Sequence, residues 1–577
     1  MPDNNNTPLT GYPSIDKPWS KYYSEETPEL PSPDMSMYDF LRENNKGNLN
    51  STALNYFGRK ISYQELFENI DKVASSLCAY GVKPGDIVSV CPLNAPEFIY
   101  LLYAINKIGA VSNWIGLTSP EQDLHEQLLS TSSKMVFSVD VASALISKAA
   151  KATNIETIVS VPVGQSMPIV IKTIERIKNR ASSSGIQWKE FISKGVGEVS
   201  EVSFSADDIA MILYTGGSTG VPKGVMLSNK NLNAYYVNFY KSNSSGITNF
   251  TYGESFLACV PLFLAQGISS CGHGPLCHSM ELILAPDPNP EAVAGTIIKW
   301  KPNHIIAGRL MIDALIEKTE EKRIDLSYIK SISYGGEERN TIWEKEWQRK
   351  LQKKNVVAPI LNGYGMTETS AAVLYSMQDS ESGLIPLGNV SVKIVDQDDC
   401  SKELGCDEIG ELCISADTVM LGYYKNDEET SKVVFDEDGI RWLRTRDLAT
   451  ISQDGIIKIT GRIKRIYSKT GSDRIQVRVY PVRIEEVILS VDDVKQCAVV
   501  GVKDDITAYR SIAYIVLAAP TKEDIAKERI DAFCRKNLPD SHIPDEYIFV
   551  KDFPLTRAGK VDYLELERRA AGGEKYE

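Results

Sequence analysis

The chain has 577 residues, a formal net charge of −13 at pH 7, and 43% hydrophobic and 24% charged residues. A chain of this length exceeds what one hydrophobic core usually supports, so we expect at least two domains, and the ordinary composition argues against extensive disorder. The acidic balance argues against nucleic-acid binding as the main activity.

The ends of the chain and its cysteines bear on the compartment. Residues 1–33 are polar and rich in proline, with neither a basic leader nor an apolar core, so we expect no signal peptide. No apolar run approaches the length that spans a bilayer, which argues against a stable membrane anchor. The ten cysteines are scattered along the chain, as is typical of reduced thiols. We therefore predict a cytoplasmic protein.

In the first part of the chain, apolar runs typical of strands alternate with amphipathic helical patterns. The patterns predict strands at 86–91, 134–139 and 157–161 and a helix at 95–105. This alternation is the signature of an α/β protein with largely parallel sheets. A further apolar run at 209–214 predicts a buried strand that leads directly into a polar loop.

That loop, residues 214–224, reads Tyr-Thr-Gly-Gly-Ser-Thr-Gly-Val-Pro-Lys-Gly. Glycines let backbone N–H groups approach phosphate oxygens closely, and the hydroxyls and the ammonium of Lys223 supply further donors. The loop is not a Walker A motif, because Pro222 precedes the lysine and Gly224 follows it. It therefore predicts a different cradle for a polyphosphate, with a plain glycine-rich surface turn as the alternative.

A group of potential metal ligands follows, consisting of Cys271, His273, Cys277 and His278. If this segment is helical, the four side chains point to more than one face, and only Cys271 and His278 share a stripe. We therefore favour buried thiols and ordinary helix packing over a metal site.

The pattern changes near residue 460. Residues 475–479 alternate in polarity like a half-exposed strand, and 470–473 have the composition of a turn, which together predict a hairpin over 466–480. A boundary at about Lys464 leaves a small C-terminal unit of plausible domain size. We predict an N-terminal extension, a large domain and a small α+β domain at 1–49, 50–463 and 464–577.

Further motifs follow the phosphate loop in order. Residues 362–369 combine an aromatic side chain that suits base stacking with a carboxylate that suits Mg²⁺. Asp447, within 444–448, suits the hydroxyls of a ribose, and Gly461-Arg462 and the lysine-containing segment 554–562 come after it. Taken singly, each has a structural alternative, such as a glycine turn, a capping acid or a solvated lysine.

This ordered set resembles the acyl-adenylate-forming superfamily, which includes acyl-CoA synthetases, aryl-CoA ligases and luciferases, from about residue 50 to 565. The resemblance implies an α/β fold in which a large N-terminal domain of two β-sheets with flanking helices carries a distorted β-barrel, followed by a small mobile C-terminal domain. It also implies that a carboxylate attacks the α-phosphate of ATP, giving acyl-AMP and pyrophosphate, before a thiol takes the acyl group. ATP, Mg²⁺ and coenzyme A are the expected cofactors.

The resemblance also implies roles for individual residues. The phosphates would be bound by Thr215, Gly217, Ser218, Thr219, Gly220 and Lys223. Adenine would lie against Gly335, Gly336, Glu337 and Tyr364, and the ribose against Asp447 and Arg462. The catalytic residues would be Thr367 at the α-phosphate, Glu368 as the Mg²⁺ ligand, and Lys560 bridging carboxylate and phosphate. Rotation about a hinge at Lys464 would bring Gly471 to the thiol channel. Basic residues that would contact the phosphates of CoA, or simply coat the hairpin, are Arg465, Lys469, Arg474, Arg478 and Arg483.

The acyl pocket is expected to be apolar, with three glycines leaving room for bulk. Its predicted lining is Phe263, Leu264, Gly267, Gly308, Met311, Gly363 and Met366. Leu264 stands where many relatives have histidine and where amino-acid-activating relatives have aspartate, so a free α-amino acid is disfavoured because its ammonium would be buried without a partner. Fatty and aromatic acids both fit.

Two other departures from the family pattern matter. Arg446 stands where glycine is usual before the aspartate, and nine residues separate Gly471 from Pro481 where relatives commonly have about four.

We weigh three functions. The leading one is a stand-alone ligase that joins an apolar carboxylic acid, fatty or aromatic, to coenzyme A. The second is a stand-alone adenylation enzyme that loads a carrier-protein thiol. The third, motivated by Leu264 and Arg446, is a nucleotide-binding protein with reduced catalysis.

Overall fold

The computed structural model describes residues 9–23, 30–168, 185–197, 199, 202, 205–215, 222–241, 250–336, 339, 341–377, 383–470, 476–504, 508–518, 522–555 and 560–572. The chain forms two compact units. The larger comprises Trp19–Ser391 and Ser415–Leu443, and the smaller comprises Met1–Pro18, Val392–Ile414 and Arg444–Glu577. This division follows packing rather than movement, so the domain boundary at Lys464 stays a prediction.

The helices are short to medium in length. In chain order they are α1 (Pro13–Asp16), α2 (Met37–Asn44), α3 (Tyr63–Ala79), α4 (Pro96–Lys107), α5 (Glu121–Thr131), α6 (Ser143–Ala149), α7 (Trp188–Ser193), α8 (Asn229–Tyr236), α9 (Gly274–Cys277), α10 (Pro290–Trp300), α11 (Arg309–Thr319), α12 (Thr341–Gln352), α13 (Asp427–Ser431), α14 (Pro481–Leu489), α15 (Glu523–Asn537) and α16 (Tyr563–Gly572). None of these described helices is long and apolar enough to cross a bilayer.

The strands, in chain order, are β1 (Thr52–Tyr56), β2 (Arg59–Ser62), β3 (Ile87–Cys91), β4 (Val111–Trp114), β5 (Met135–Val139), β6 (Thr157–Val161), β7 (Ile186–Gln187), β8 (Ile209–Tyr214), β9 (Gly224–Ser228), β10 (Ser255–Ala258), β11 (Glu281–Leu284), β12 (His304–Ile306), β13 (Ser331–Gly335), β14 (Ile360–Met366), β15 (Ala371–Ser376), β16 (Leu384–Pro386), β17 (Ser391–Val395), β18 (Gly410–Ser415), β19 (Gly422–Tyr423), β20 (Val434–Glu437), β21 (Ile440–Ile451), β22 (Ile457–Arg462), β23 (Tyr467–Thr470), β24 (Gln476–Val479), β25 (Val494–Asp504), β26 (Ala508–Leu517) and β27 (Glu546–Phe549).

The larger unit contains two sheets. One runs in the order β16-β15-β14-β13-β12-β10-β11-β1-β2, and the other in the order β19-β9-β8-β4-β3-β5-β6-β7. The central pairs of both sheets are parallel, for example β13 with β14 and β3 with β4. Parallel strands covered on both faces have nearly continuous apolar sequences, as in β5, where all five residues are buried and four of them are apolar. The largely parallel α/β prediction is confirmed.

The predicted elements of this unit lie where the patterns placed them. The strands predicted at 86–91, 134–139, 157–161 and 209–214 correspond to β3, β5, β6 and β8, and the helix predicted at 95–105 corresponds to α4. Helix α4 is buried from Pro96 to Asn106, which explains why its sequence is apolar on nearly every face.

The smaller unit has a core on each face of the sheet β25-β26-β27. Successive residues of β25 alternate between these cores: Val499 packs with α14 and α15 residues such as Ile484 and Ile530, and Val500 packs with Leu566 of α16. Strands β23 and β24 pair antiparallel, which confirms the two strands of the predicted hairpin; residues 471–475 between them lie outside the described residues.

The predicted barrel is not found as a closed structure. In the smaller unit, β17, β18, β21 and β22 pair in that order, and among the described residues no sheet path returns to its first strand. These strands therefore form an open sheet. A closed barrel would require its last strand to pair with its first.

Candidate active site

The phosphate loop connects β8 to β9. The two strands pair antiparallel up to Tyr214 and Gly224, and the N–H of Thr215 donates to the carbonyl of Lys223 at 3.1 Å. The two ends of the loop are thus pinned together by the hairpin. The predicted phosphate ligands Gly217, Ser218, Thr219 and Gly220 lie outside the described residues.

Lys223 is held by two neighbours from one later segment. Its Nζ donates to Glu429 Oε2 on α13, and it lies 4.9 Å from the centre of the Tyr423 ring, a cation–π contact. Strand β19 brings Tyr423 there, because it pairs with β9 with Tyr423 opposite Val225. The lysine is about 28% exposed and Glu429 about 31%, so both remain accessible from solvent.

Strand β14 and the turn after it present Tyr364, Thr367 and Glu368, all half-buried. The turn is tied by Thr369, whose buried hydroxyl donates to the carbonyl of Ala371 at 2.7 Å. This hydrogen bond fixes the turn in which Thr367 and Glu368 lie, directly after the strand.

Glu368 is fixed from two sides. Its Oε1 accepts a hydrogen bond from the Tyr423 hydroxyl at 2.8 Å, and its carbonyl accepts one from the N–H of Met420 at 2.8 Å. Among the described residues, no three His, Cys, Asp or Glu side chains come together as metal ligands. Mg²⁺ in nucleotide sites is commonly held by one or two carboxylates together with substrate phosphates and water, so a single oriented carboxylate fits that ion.

The glycines predicted to form a wall for adenine are needed for strand packing. Gly335 pairs with Gly363 across β13 and β14, and a Cβ on Gly335 would lie 2.6 Å from the carbonyl of Gly363. Gly336 has φ +82°, a conformation that glycine adopts without strain. Glu337 lies outside the described residues.

Asp447 and Arg462, predicted together at the ribose, lie together in the smaller unit. They are opposite one another on β21 and β22, with Arg462 Nε 3.1 Å from Asp447 Oδ1. Asp447 is buried and the arginine is largely exposed. The N–H of Asp447 donates to the Thr445 hydroxyl at 3.1 Å, which helps to set the direction of the strand at this point.

Arg446, directly before this aspartate, has a backbone conformation that favours glycine. Arg446 has φ +63°, in the left-handed region, which costs a non-glycine residue about 1–2 kcal/mol. Its N–H donates to Oε1 of the fully buried Glu411 at 3.0 Å, and Arg444 Nε donates to Oε2 of the same carboxylate at 2.8 Å. Glu411 therefore holds the backbone on the N-terminal side of Asp447.

The residues assigned to catalysis and movement at the C-terminal end are only partly described. Lys560 is exposed and is followed by Val561, which bridges to Leu555, while the N–H of Asp562 donates to the carbonyl of Pro554 at 2.8 Å. The backbone of Lys464 lies in a short turn, Ile463–Arg465; its side chain and Gly471 are outside the described part.

Most of the basic residues considered for CoA have partners within the smaller unit. Arg465 forms an ion pair with Glu485, and its guanidinium lies 3.7 Å from the centre of the Tyr563 ring. Lys469 forms an ion pair with Asp545 at 2.8 Å, and Arg478 forms one with Asp398 at 2.8 Å. Arg483 lies 5.6 Å from the Tyr480 ring, and Arg474 lies outside the described residues. These contacts support the alternative that they stabilise this unit.

The proposed acyl lining has four half-buried apolar side chains, Phe263, Leu264, Met311 and Met366. The expectation that glycines leave room for a bulky acyl group is wrong at two of the three positions. A Cβ at Gly267 would lie 2.0 Å from the carbonyl of Pro261, and one at Gly363 would lie 2.9 Å from the Tyr375 ring, so protein atoms fill the space that these glycines leave. At Gly308, no atom of the described residues lies within 4 Å of that position.

The cysteine and histidine group packs differently from the expected stripe. The segment forms a π-helix, Gln266–His273, followed by α9, and it is His273 and Cys277 that approach one another, with Sγ 3.6 Å from Nδ1. Buried His273 also contacts the Tyr103 hydroxyl at 3.0 Å and Asn233 Oδ1 at 3.1 Å. Burial lowers the pKa of His273 to about 3, so it is a neutral core residue.

Sequence analysis missed Tyr423, Glu429 and Glu411. The first two lie in the segment 422–430, which has a helix-capping Asn426 and three consecutive acids, a pattern with no chemical signature of its own. Glu411 is the charged residue of the otherwise uncharged strand β18, and it looks like a surface residue in sequence. Each acquires its role through contacts with residues far away in the chain.

Two family models match the chain. The "AMP-binding enzyme" model matches residues 41–424, and the "AMP-binding enzyme C-terminal domain" model matches residues 483–560. A long-chain-fatty-acid–CoA ligase of Bacillus subtilis (strain 168) is 26% identical over 569 residues, covering 94% of this chain and 96% of that protein. A 4-coumarate–CoA ligase-like protein of Arabidopsis thaliana is 25% identical over 528 residues, covering 89% and 86%.

Among solved structures, an anthranilate CoA ligase in complex with anthranoyl-AMP is similar with a TM-score of 0.79 and 21% identity, covering 95% of this chain and 99% of that one. At this identity the likeness establishes the fold.

Proposed function

This chain belongs to the AMP-binding enzyme family, and we propose that it activates an apolar carboxylic acid with ATP and then transfers the acyl group to coenzyme A. The observation that carries the proposal is the link through Tyr423. Its ring lies under the Lys223 ammonium, and its hydroxyl donates to Glu368. A cation for phosphate oxygens and a carboxylate suited to Mg²⁺ are thus organised by one side chain.

In the first step, the carboxylate of the acid attacks the α-phosphorus of ATP, the bond to the β-phosphate oxygen breaks, and pyrophosphate leaves with its electron pair. No general base is needed, because the acid is ionised at neutral pH. Catalysis is then chiefly positioning and charge stabilisation. In our proposal Lys223 and the loop hydroxyls hold the departing phosphates, and Thr367 and Lys560 donate to the α-phosphate and the attacking carboxylate.

Mg²⁺, when bound, would neutralise charge on the phosphates, and Glu368 is the residue that would hold it. The Tyr423 hydroxyl orients that carboxylate. Tyr364 would stack on adenine, and Asp447 with Arg462 would bind the ribose hydroxyls.

In the second step, the thiol attacks the carbonyl carbon of acyl-AMP, AMP leaves, and the thiol proton is released to solvent. The relatives' names support free coenzyme A as the acceptor, since the bacterial and structural relatives described above are named CoA ligases and the plant relative is named CoA ligase-like. A carrier-protein thiol is the alternative acceptor.

The acid is proposed to be apolar because Phe263, Leu264, Met311 and Met366 supply no charged partner for a polar substituent. Names among the relatives include both fatty and aromatic acids, and both classes remain within the proposal.

A screen for pyrophosphate release over aliphatic and aromatic acids, with and without coenzyme A, tests this function. We expect release that depends on an apolar acid, and a thioester that saturates with free coenzyme A. Release without thioester formation would favour the carrier-protein alternative, and no acid-dependent release would contradict the proposal.

Lys560 offers the sharpest test at a single residue. Its loss should reduce formation of acyl-AMP by about 10²–10³-fold, because a charge-stabilising donor at the reacting groups is typically worth that much. The purified Lys560→Ala protein would be assayed for acyl-AMP from acid and ATP, and separately for thioester formation from synthetic acyl-AMP. Normal adenylation by this variant would exclude the assignment.

A further inference from the structure

In the structure, Lys223 forms an ion pair with Glu429. The lysine that follows the phosphate loop donates to Oε2 of this glutamate, from a segment more than 200 residues away in the chain. The backbone of each partner is held by regular secondary structure. Lys223 directly precedes β9, and the N–H of Glu429 is capped by Asn426 Oδ1 at 3.1 Å at the start of α13.

The pair is accessible rather than buried. Both side chains are close to 30% exposed, so an incoming anion can reach the lysine without unfolding α13. Glu429 is ionised throughout the neutral range, because the hydrogen bonds from Lys223 and then from Lys432 lower its pKa to about 2. A carboxylate here presents to Lys223 the same kind of oxygen that a phosphate would present.

Lys432 gives Glu429 a second cationic partner. Its Nζ lies 2.6 Å from Glu429 Oε1, the oxygen that Lys223 does not use. Glu429 therefore keeps a cationic partner if Lys223 leaves. Tyr423 keeps Lys223 in the same region meanwhile, because the ring contact does not depend on Glu429.

We propose that Glu429 is the counter-ion that Lys223 exchanges for a phosphate oxygen when ATP binds, so that this glutamate lowers the enzyme's affinity for ATP and pyrophosphate. Glu429 acts through Lys223 and is a positioning residue. The proposal rests on the proposed function, in which Lys223 binds the phosphates. If Glu429 instead orients Lys223 toward the phosphates, removing Glu429 should weaken the binding of ATP and pyrophosphate.

The two expectations differ in sign, and α13 offers a matched control. Glu428 is adjacent, largely exposed, and bonds Lys432 at 2.7 Å. Glu428→Gln removes the same charge from the same helix and leaves the Lys223 contact in place. Calorimetric titration with Mg·pyrophosphate and with Mg·ATP, without acid, would compare wild type, Glu429→Gln and Glu428→Gln.

We expect Glu429→Gln to bind both anions roughly 1.4- to fivefold more tightly, since an exposed ion pair of this kind is worth about 0.2–1 kcal/mol. Glu428→Gln should bind as wild type does. In the kinetic assay, Glu429→Gln should lower the KM for ATP and make pyrophosphate a stronger product inhibitor, whereas a purely structural role would leave this pattern unmoved. Glu429→Ala serves as a second variant with the same expectation.

The variant Lys223→Met distinguishes failure of the proposed exchange at Glu429 from failure of the proposed phosphate-binding role of Lys223. If the exchange is correct, Lys223→Met weakens binding, and adding Glu429→Gln to it restores nothing. Unchanged or weaker binding by Glu429→Gln, in a protein where Lys223→Met does weaken binding, would overturn the exchange alone. If wild type binds neither anion, or Lys223→Met leaves binding unaltered, the proposed function of the loop fails with it.

Discussion

Two carboxylates in this molecule hold cations beside nucleotide motifs, and they do so in different ways. Glu411, fully buried in the smaller unit, accepts from Arg444 and from the N–H of Arg446, next to Asp447. Glu429, about a third exposed in the larger unit, holds Lys223 at the end of the phosphate loop. Both contacts join oppositely charged groups, yet their surroundings differ.

The difference lies in solvent. A buried carboxylate cannot give up its partners without being left uncompensated in a medium of low dielectric constant, so Glu411 is a permanent part of the framework. An exposed pair is screened and weak, so Glu429 can exchange its partner at small cost. The backbone at Asp447 is thus expected to be rigid, and Lys223 to be available for exchange.

The largest expected effect is at Glu411. Glu411→Ala should lower the free energy of unfolding by about 3–5 kcal/mol, because it leaves Arg444 beside an empty buried site. Urea unfolding of the full chain measures this. Glu411→Gln keeps an acceptor for the Arg446 N–H and should lose less, and a loss below 1 kcal/mol for the alanine variant would contradict a permanent role.

A second buried pair should behave in the same way. Arg465→Met removes the partner of the buried Glu485, which still accepts from the N–H of Val499 at 2.6 Å. Because that hydrogen bond remains, the expected loss is smaller, about 1–3 kcal/mol. Urea unfolding compared with Arg510→Met, whose pair with Glu546 is exposed, checks it; equal losses would remove burial as the cause.

The third effect concerns backbone strain. Arg446→Gly relieves the left-handed conformation, whereas Arg446→Ala removes the same side chain and keeps the Cβ. The glycine variant should therefore be more stable than the alanine variant by about 1 kcal/mol. The difference between the two urea midpoints, multiplied by the m-value, measures this free-energy difference. An alanine variant as stable as the glycine variant would show that Arg446 carries no strain.

The smallest effect is on the stability of the exposed pair. Glu429→Gln should change the free energy of unfolding by about 0.5 kcal/mol or less, although it changes the affinity for phosphates. Thermal unfolding without nucleotide tests it beside Glu428→Gln. A loss comparable to that of Glu411→Ala would mean that Glu429 is structural and would erase the contrast between the two carboxylates.

The sequence predicts what depends on local pattern. The strand that leads into the phosphate loop, β8, and the two strands of the hairpin, β23 and β24, follow from apolar runs, alternation and turn residues. The association of Asp447 with Arg462 follows from the family resemblance instead, and the register of β21 and β22 puts the two residues opposite one another. The open sheet in place of a barrel did not follow, because closure depends on which strands meet at long range.

The contacts that sequence analysis could not supply are those between distant residues. The pair of Lys223 with Glu429 spans 206 positions, and the Tyr423–Glu368 hydrogen bond spans 55. Gly267 and Gly363 show the same limit, since whether a missing side chain leaves an opening depends on Pro261 and Tyr375. Arg446 shows it for backbone conformation, because its positive φ occurs together with a hydrogen bond from its N–H to Glu411, 35 positions earlier in the chain.

The central claim is that this chain joins a carboxylate to the α-phosphate of ATP. An apolar acid labelled with ¹⁸O in both carboxylate oxygens, incubated with the enzyme, ATP, Mg²⁺ and coenzyme A, tests it by mass spectrometry of the products. The account predicts AMP that carries one ¹⁸O and a thioester that carries the other. Unlabelled AMP, or ADP as the nucleotide product, would contradict it.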